Sequence, residues 1–195
     1  MVDEKGSRPE TRHRRLKEKG FRFVDLGTSG GVEGARSGAC FMAGGEAAAV
    51  EPLLQVLQML SVEGGYGHAG PPGAGHFVKL VHNGIEFSML QAIAEGIDLI
   101  SHYRDDLDIP GVLRCWRNGS VVRSLLMDLM QEMLESEGSL ETVPAYVEDT
   151  GEVNWLVDDA MHRTKGLSKC RIMQRRRGCS STGSALPTGK NGALT

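Results

Sequence analysis

Lys79, His82, Asn83 and Glu86 stand at i, i+3, i+4 and i+7, a spacing that puts four polar side chains on one stripe of an α-helix. An amine, an imidazole, an amide and a carboxyl group so placed can bind a hydroxy acid and move its protons. A neutral amine accepts a hydroxyl proton as hydride leaves, and a carboxylic acid returns a proton to carbon. The flanking Phe77, Val78, Leu80, Val81, Ile85 and Met89 are apolar, so the helix is expected to be otherwise buried. There an unpaired polar group costs about 1–3 kcal/mol, and the strip needs solvent or a polar ligand. The spacing alone also suits a plain amphipathic helix with a Lys/Glu surface stripe. The turn before it, Gly70-Pro71-Pro72-Gly73-Ala74-Gly75, favours the site reading: it lets backbone approach closely and exposes a helix N-terminus, where an anionic group is stabilised.

The elements that must position this strip follow from periodicity. An apolar helical period runs from residue 76 to about residue 103 without an internal proline, predicting one long helix. Upstream, residues 21–26 alternate as a strand and run into the turn-rich Gly27-Thr28-Ser29-Gly30-Gly31, with a second short strand at residues 39–43. Gly44-Gly45 should open a helix carrying Val50, Leu53, Leu54, Leu57 and Leu60, with Pro52 tolerable only in its first turns. A glycine-rich connection over residues 64–75 holds a weak strand at residues 66–69. This is a βαβ-like fragment.

Downstream the chain reads as helical: one helix over residues 110–134, in which Met127, Met130 and Met133 pack, and the start of another at residues 155–161. Trp116 and Trp155 are expected in the core, and Arg117 and Arg123 at solvated or capping positions rather than in the pocket. Residues 1–20 are dense in charge, and Arg12, Arg14, Arg15, Lys17 and Lys19 suit an exposed helix expected to end at Gly20. The fold class is therefore an α/β partial nucleotide-binding domain followed by an all-α domain with one long helix. The expected division is residues 1–70, residues 71–161 and a basic tail over residues 162–195. That tail, rich in Arg, Ser, Gly and Thr, cannot bury enough apolar surface to offset its ordering entropy, so disorder is expected.

A net charge of −3 gives no global basic field, and no groove-reading motif accompanies the basic tail, so nucleic acid is not an expected partner. No run of 18 apolar residues and no signal-like N-terminal segment occurs, and Cys40, Cys115, Cys170 and Cys179 lack paired spacing. No membrane partner, no metal site and a cytoplasmic location are expected; His68, His76 and His102 lack ligand-like spacing.

The string Gly70-Pro71-Pro72-Gly73-Ala74-Gly75-His76-Phe77-Val78-Lys79-Leu80-Val81-His82-Asn83-Gly84-Ile85-Glu86 resembles the signature of 6-phosphogluconate dehydrogenases. The broader β-hydroxyacid dehydrogenases share only its skeleton, a glycine turn, a lysine and an asparagine four residues later. A second block, Asp25-Leu26-Gly27-Thr28-Ser29-Gly30-Gly31-Val32-Glu33-Gly34-Ala35 with Met42-Ala43-Gly44-Gly45 behind it, is similar to the family's substrate loop. The likeness covers roughly residues 2–161, and Tyr146-Val147-Glu148-Asp149-Thr150-Gly151-Glu152 resembles its shorter bacterial branch. The resemblance implies oxidative decarboxylation of 6-phosphogluconate to ribulose 5-phosphate with NADP or NAD as acceptor, and a homodimer. Lys79 would be the general base at the 3-hydroxyl and Glu86 the general acid toward the enediol. His82 and Asn83 would hold substrate hydroxyls, and Ser29, Gly30 and Gly31 the carboxylate end.

The chain also departs from that pattern. Phe87 stands where the family usually has a phosphate-contacting tyrosine, and Gly6 where it has a substrate asparagine. The family's glycine-rich dinucleotide fingerprint would lie before Met1, so the cofactor-binding residues are unknown and turnover by this chain alone is expected to be weak or absent. One literal Gly-x-Gly-x-x-Gly, Gly65-Tyr66-Gly67-His68-Ala69-Gly70, leads into two prolines instead of a helix and is read as a coincidence. From His162 onward apolar periodicity stops, the pattern that a change of reading frame near Met161 would leave, and Arg175, Arg176 and Arg177 are not given the family's phosphate-binding role. A non-catalytic fragment that binds a sugar phosphate or a partner chain is the alternative.

Overall fold

The structure, a computed structural model, describes residues 9–138, 142, 143, 146 and 151–163. The expected basic tail lies outside the described residues apart from its first two positions. The chain divides into two units, Met1–Leu156 and Val157–Thr195. The sheet belongs to the first, and the described part of the second is helical.

Helix α1 (Pro9–Lys17) leads to strand β1 (Val24–Ser29), helix α2 (Gly31–Ser37) and strand β2 (Ala39–Gly45). A bent crossover follows, made of α3 (Ala47–Val50), a 3₁₀ turn (Glu51–Leu53) and α4 (Leu54–Leu60), before strand β3 (Ser61–Gly70). The sheet has the order β1-β2-β3, with β1 antiparallel and β3 parallel to β2. The β2–crossover–β3 segment is thus the βαβ unit that the sequence suggests, in a Rossmann-like α/β region that a helical region follows.

Three boundaries differ from the sequence expectation, each for a local reason. Gly27, Thr28 and Ser29 belong to β1, because Gly27 serves close packing rather than a turn: a Cβ there would lie 2.6 Å from the Cβ of Lys79. Gly44 and Gly45 end β2, and the helix starts only at Ala47; Pro52, with no backbone N–H to donate, falls in the 3₁₀ turn that splits it. The glycine-rich stretch from residue 61 to residue 70 is all strand, so the literal Gly-x-Gly-x-x-Gly lies within β3.

Beyond the sheet, α5 (Ala74–Ser101) is one unbroken 28-residue helix. The expected single helix over residues 110–134 is two, α6 (Ile109–Arg117) and α7 (Leu125–Glu137), parted where Gly119 takes φ 94°. Asp108 caps α6 through the Gly111 N–H, and Ser124 caps α7 through the Met127 N–H, each satisfying a donor that the helix cannot. The last helix is α8 (Glu152–Arg163).

The helical core gathers Ile97 of α5, Leu113 of α6, and Met127 and Leu134 of α7, with Trp116, Met130 and Met133 packed against it. The methionine series is packing, as its spacing implies. Arg117 does not reach the site: it donates to the buried Gln131 at 2.9 Å and pairs with Asp128 at 3.0 Å, clamping α6 to α7.

The expectation that α5 is apolar on its buried sides is reversed over its first half, except at the buried Leu80. Asn83 is 7% exposed whereas Ile85 is 57% exposed, and Val78, Val81 and Met89 also face outward. The polar strip is the face that meets the sheet.

Candidate active site

Helix α5 sits on β1 and β2 with almost no side chains between their backbones. A Cβ on Gly75 would lie 2.5 Å from the Met42 carbonyl, 2.7 Å from the Asp25 carbonyl and 2.8 Å from the Gly44 N–H nitrogen. Real Cβ atoms do not come so near, so glycine at 75, matched by Gly27 and Gly44 below it, is what lets the helix lie this close. The close approach expected from the glycine turn is present.

That proximity brings β1 and α5 chemistry together. Ser29 Oγ is 3.1 Å from His82 Nε2, and on the other side of the ring Nδ1 lies 3.3 Å from Lys79 Nζ and 3.2 Å from Asn83 Oδ1. Glu86 Oε2 is 3.6 Å from the same Nδ1. Five predicted residues therefore meet around one imidazole. Its Nδ1 carries either a lone pair, which accepts from the Lys79 ammonium, or a proton, which is shared toward Asn83 and Glu86. The ring cannot serve both sides at once, so a proton arriving at or leaving Nδ1 changes which neighbour is bonded.

Asn83 is buried, while the side chains of His82 and Glu86 are 36% and 38% exposed. The cluster is thus backed by the sheet at Asn83 and partly open to solvent at His82 and Glu86. Gly30 (φ 125°) and Gly31 (φ 59°) turn the chain out of β1 into α2, and the structure brings neither into the hydrogen-bonded cluster. Phe87 follows Glu86 on α5 and is half-buried.

Sequence reasoning placed an anion at the N-terminus of α5, and the structure puts the protein's own there. Asp25 of β1 is 2% exposed; its Oδ1 accepts from the Gly73 N–H at 2.6 Å, and its Oδ2 from the His76 N–H at 2.8 Å and the His76 Nδ1 at 3.0 Å. Substrate therefore does not take these donors. Asp25 carried no assigned role in the sequence reading; the available signal was the one charged residue of β1, on the register that Gly27 and Ser29 share.

Burial pushes the Asp25 carboxyl up, but the hydrogen bonds from His76 and from the Gly73 and His76 backbone, with the imidazole's charge, outweigh it and leave the pKa lowered. A carboxyl lowered in the folded state stabilises the fold above its unfolded value, near 3.8, and that stability is lost as pH falls through the folded value. Acid unfolding of the wild-type chain should therefore steepen below about that pH. Asp25→Asn should flatten this dependence in chemical-denaturation curves taken across the acid range; an unchanged slope would contradict the assignment.

No strand–turn–helix unit among the described residues fits a dinucleotide diphosphate. β1 leads to the seven-residue α2, β2 leads to the four-residue α3, headed by Glu46, whose carboxylate is engaged by Lys17, and β3 leads to α5, whose Gly73 and His76 N–H groups are already taken by Asp25. No group of three or more His, Cys, Asp or Glu side chains among the described residues could hold a metal ion, and no described helix is long and apolar enough to cross a membrane.

Comparison with known proteins agrees with this geometry. The family model described as the NAD binding domain of 6-phosphogluconate dehydrogenase matches residues 5–67, and that of the 6-phosphogluconate dehydrogenase C-terminal domain matches residues 75–106. The chain is 42% identical over 150 residues to YqeC of Bacillus subtilis, provisionally named a 6-phosphogluconate dehydrogenase, covering 77% of this chain and 50% of that protein. It is 38% identical over 165 residues to the NAD(+)-dependent, decarboxylating 6-phosphogluconate dehydrogenase of Haloferax volcanii, covering 84% of this chain and 55% of that one. The chain thus spans about half the length of these curated relatives. In fold it is similar to Plasmodium falciparum 6-phosphogluconate dehydrogenase, with a TM-score of 0.72 at 23% identity over 93% of this chain and 44% of that one. A 3-hydroxyisobutyrate dehydrogenase from Salmonella typhimurium is also similar, with a TM-score of 0.60 at 22% identity over 79% of this chain and 53% of that one. Two family models in the order of the chain, relatives at 38–42% identity and a lysine–histidine–asparagine–glutamate strip laid against a serine-bearing strand together establish that the chain belongs to the 6-phosphogluconate dehydrogenase family of NAD-binding oxidoreductases.

Proposed function

We propose that this chain carries the sugar-acid site of an oxidative decarboxylase, taking 6-phosphogluconate to ribulose 5-phosphate with NAD or NADP as the hydride acceptor. The observation that supports this reading above the others is the single cluster in which Ser29, Lys79, His82, Asn83 and Glu86 converge. Neutral Lys79 takes the proton of the 3-hydroxyl as that carbon is oxidised, leaving a β-keto acid that loses CO2. Glu86, protonated, returns a proton to the enediol carbon. His82, bonded to Ser29 on one side and facing Lys79, Asn83 and Glu86 on the other, holds these groups at one place and orients substrate hydroxyls with Asn83. Ser29, with the backbone of Gly30 and Gly31, receives the carboxylate end.

Residues 1–70 belong in this reading to the nucleotide-binding domain and residues 71–161 to the helical domain. The outward apolar residues of α5, Val78, Val81, Ile85 and Met89, fit burial in a homodimer, the net charge of −3 gives no basic field for nucleic acid, and the cytoplasm is the location taken in this reading.

The test is an incubation with 6-phosphogluconate and either dinucleotide, reading reduced nicotinamide by absorbance and released CO2 in parallel. Equal amounts of the two are expected, whatever the rate. Reduction of the nicotinamide without CO2 would assign a simple hydroxyacid dehydrogenase instead, and neither product would remove the proposed activity from this chain.

A further inference from the structure

We infer that Asp25 is a positioning residue of this site: by gripping the first turn of α5 it sets the register of that helix along β1, and so decides that Lys79 and His82 arrive opposite Gly27 and Ser29. The inference rests on the functional reading above for its consequence, but its geometry stands independently of the ligand.

Residues 25, 27 and 29 occupy one face of β1, and each meets α5 at a successive level. Asp25 bonds to Gly73 and His76, the Cβ site of Gly27 abuts Lys79, and Ser29 faces His82. The two elements run side by side in the same direction. Asp25 to Ser29 spans about 13 Å of strand at about 3.3 Å per residue, and Gly73 to His82 spans about 13 Å of helix at 1.5 Å per residue. Anchoring one end therefore brings the other end into place.

The anchor is specific to this position. Helix α5 has no side-chain cap of its own, and Gly73, its N-cap, takes φ 95°. Asp25 supplies from a different element the oxygen acceptors that a capping box supplies from within a helix. The slot that receives the carboxylate is lined by backbone: Gly44, directly across the strand pair, would place a Cβ 2.6 Å from Asp25 Oδ1 and 2.5 Å from the Gly75 nitrogen. With glycines at 44 and 75, the carboxylate reaches its three donors directly and holds the start of the helix. A helix free to slide by one turn would shift by about 5.4 Å and carry Lys79 and His82 past Ser29, and misplacements of about 1 Å already cost on the order of 10²-fold in rate.

The test uses the full chain and NMR of the His82 ring nitrogens, with the methyl signals of Leu113 and Met127 as a report on the separate helical core. In Asp25→Asn the amide keeps the shape but turns a donor toward the Gly73 or His76 N–H. The His82 ring signals are expected to move, although residue 25 does not touch His82, while the Leu113 and Met127 signals stay in place. A residue that served stability alone would leave the folded molecules with wild-type His82 signals, and that result would overturn the inference. In the wild type, independently of any variant, the Gly73 and His76 amides should exchange with solvent far more slowly than first-turn amides normally do; fast exchange at both would also overturn it. Loss of 6-phosphogluconate binding in the wild type would instead count against the proposed function, so the two failures are distinguishable.

Discussion

Gly75→Ala is expected to destabilise the chain by about 3 kcal/mol, the upper end of the usual cost of overpacking, and to lower the melting temperature by about 6–12 °C at the 2–4 °C per kcal/mol typical of this size. The reason is what surrounds the new methyl group: three backbone atoms, the Met42 and Asp25 carbonyl oxygens and the Gly44 nitrogen, all within 2.8 Å. A flexible side chain could rotate away, but a strand backbone held in its ladder cannot. The helix must lift off the sheet, which also stretches the hydrogen bonds from Gly73 and His76 to Asp25. Gly96 is the matched control. It lies in the same helix with nothing within 4 Å of its Cβ site, so Gly96→Ala should stabilise by about 0.5–1 kcal/mol through the helix preference alone. Thermal melts of the two variants beside the wild type check this; equal melting temperatures for both would contradict the close packing of α5 on β1 and β2.

The contrast between these glycines shows where sequence was legible and where it was not. The spacing of Lys79, His82, Asn83 and Glu86 was enough to place them on one stripe, and the structure brings them together because helical geometry is local. The length of α5 and the packing role of Met127 were readable for the same reason. Which way the stripe faced was not readable. The six apolar neighbours Phe77, Val78, Leu80, Val81, Ile85 and Met89 outnumber the four polar residues, so periodicity favoured burying them, yet glycines at 27, 44 and 75 draw the polar side onto the sheet. That is a tertiary effect between segments about 50 residues apart, and no window of sequence contains it. The role of Asp25 was hidden likewise: its partners, Gly73 and His76, lie 48 and 51 residues away. Gly27, read as a turn residue because glycine usually punctuates strands, is a contact surface for Lys79 instead.

Lys79→Met is the substitution with the largest expected effect on chemistry. Methionine keeps the Cβ that packs over Gly27 and much of the aliphatic stem, so the fold should be retained, but the amine that faces His82 is gone. Without it the general base proposed for the 3-hydroxyl is missing. General-base contributions of this kind are worth about 10²–10⁴-fold, and turnover should fall by that factor relative to the wild type under the same conditions. Ground-state binding should suffer less. A hydrogen bond from a neutral amine contributes about 0.5–1.5 kcal/mol, so the dissociation constant for 6-phosphogluconate should rise by about 2- to 13-fold. Glu86 remains in place in this variant and keeps the second proton-transfer group intact.

The convergence of strand and helix on one sugar-acid site is tested most directly by calorimetric titration of the full chain with 6-phosphogluconate, wild type beside Lys79→Met. Saturable binding with one site per chain in the wild type, weakened about 2- to 13-fold in the variant, is the predicted result. A titration in which both proteins bind equally, or in which the wild type binds nothing, would contradict it.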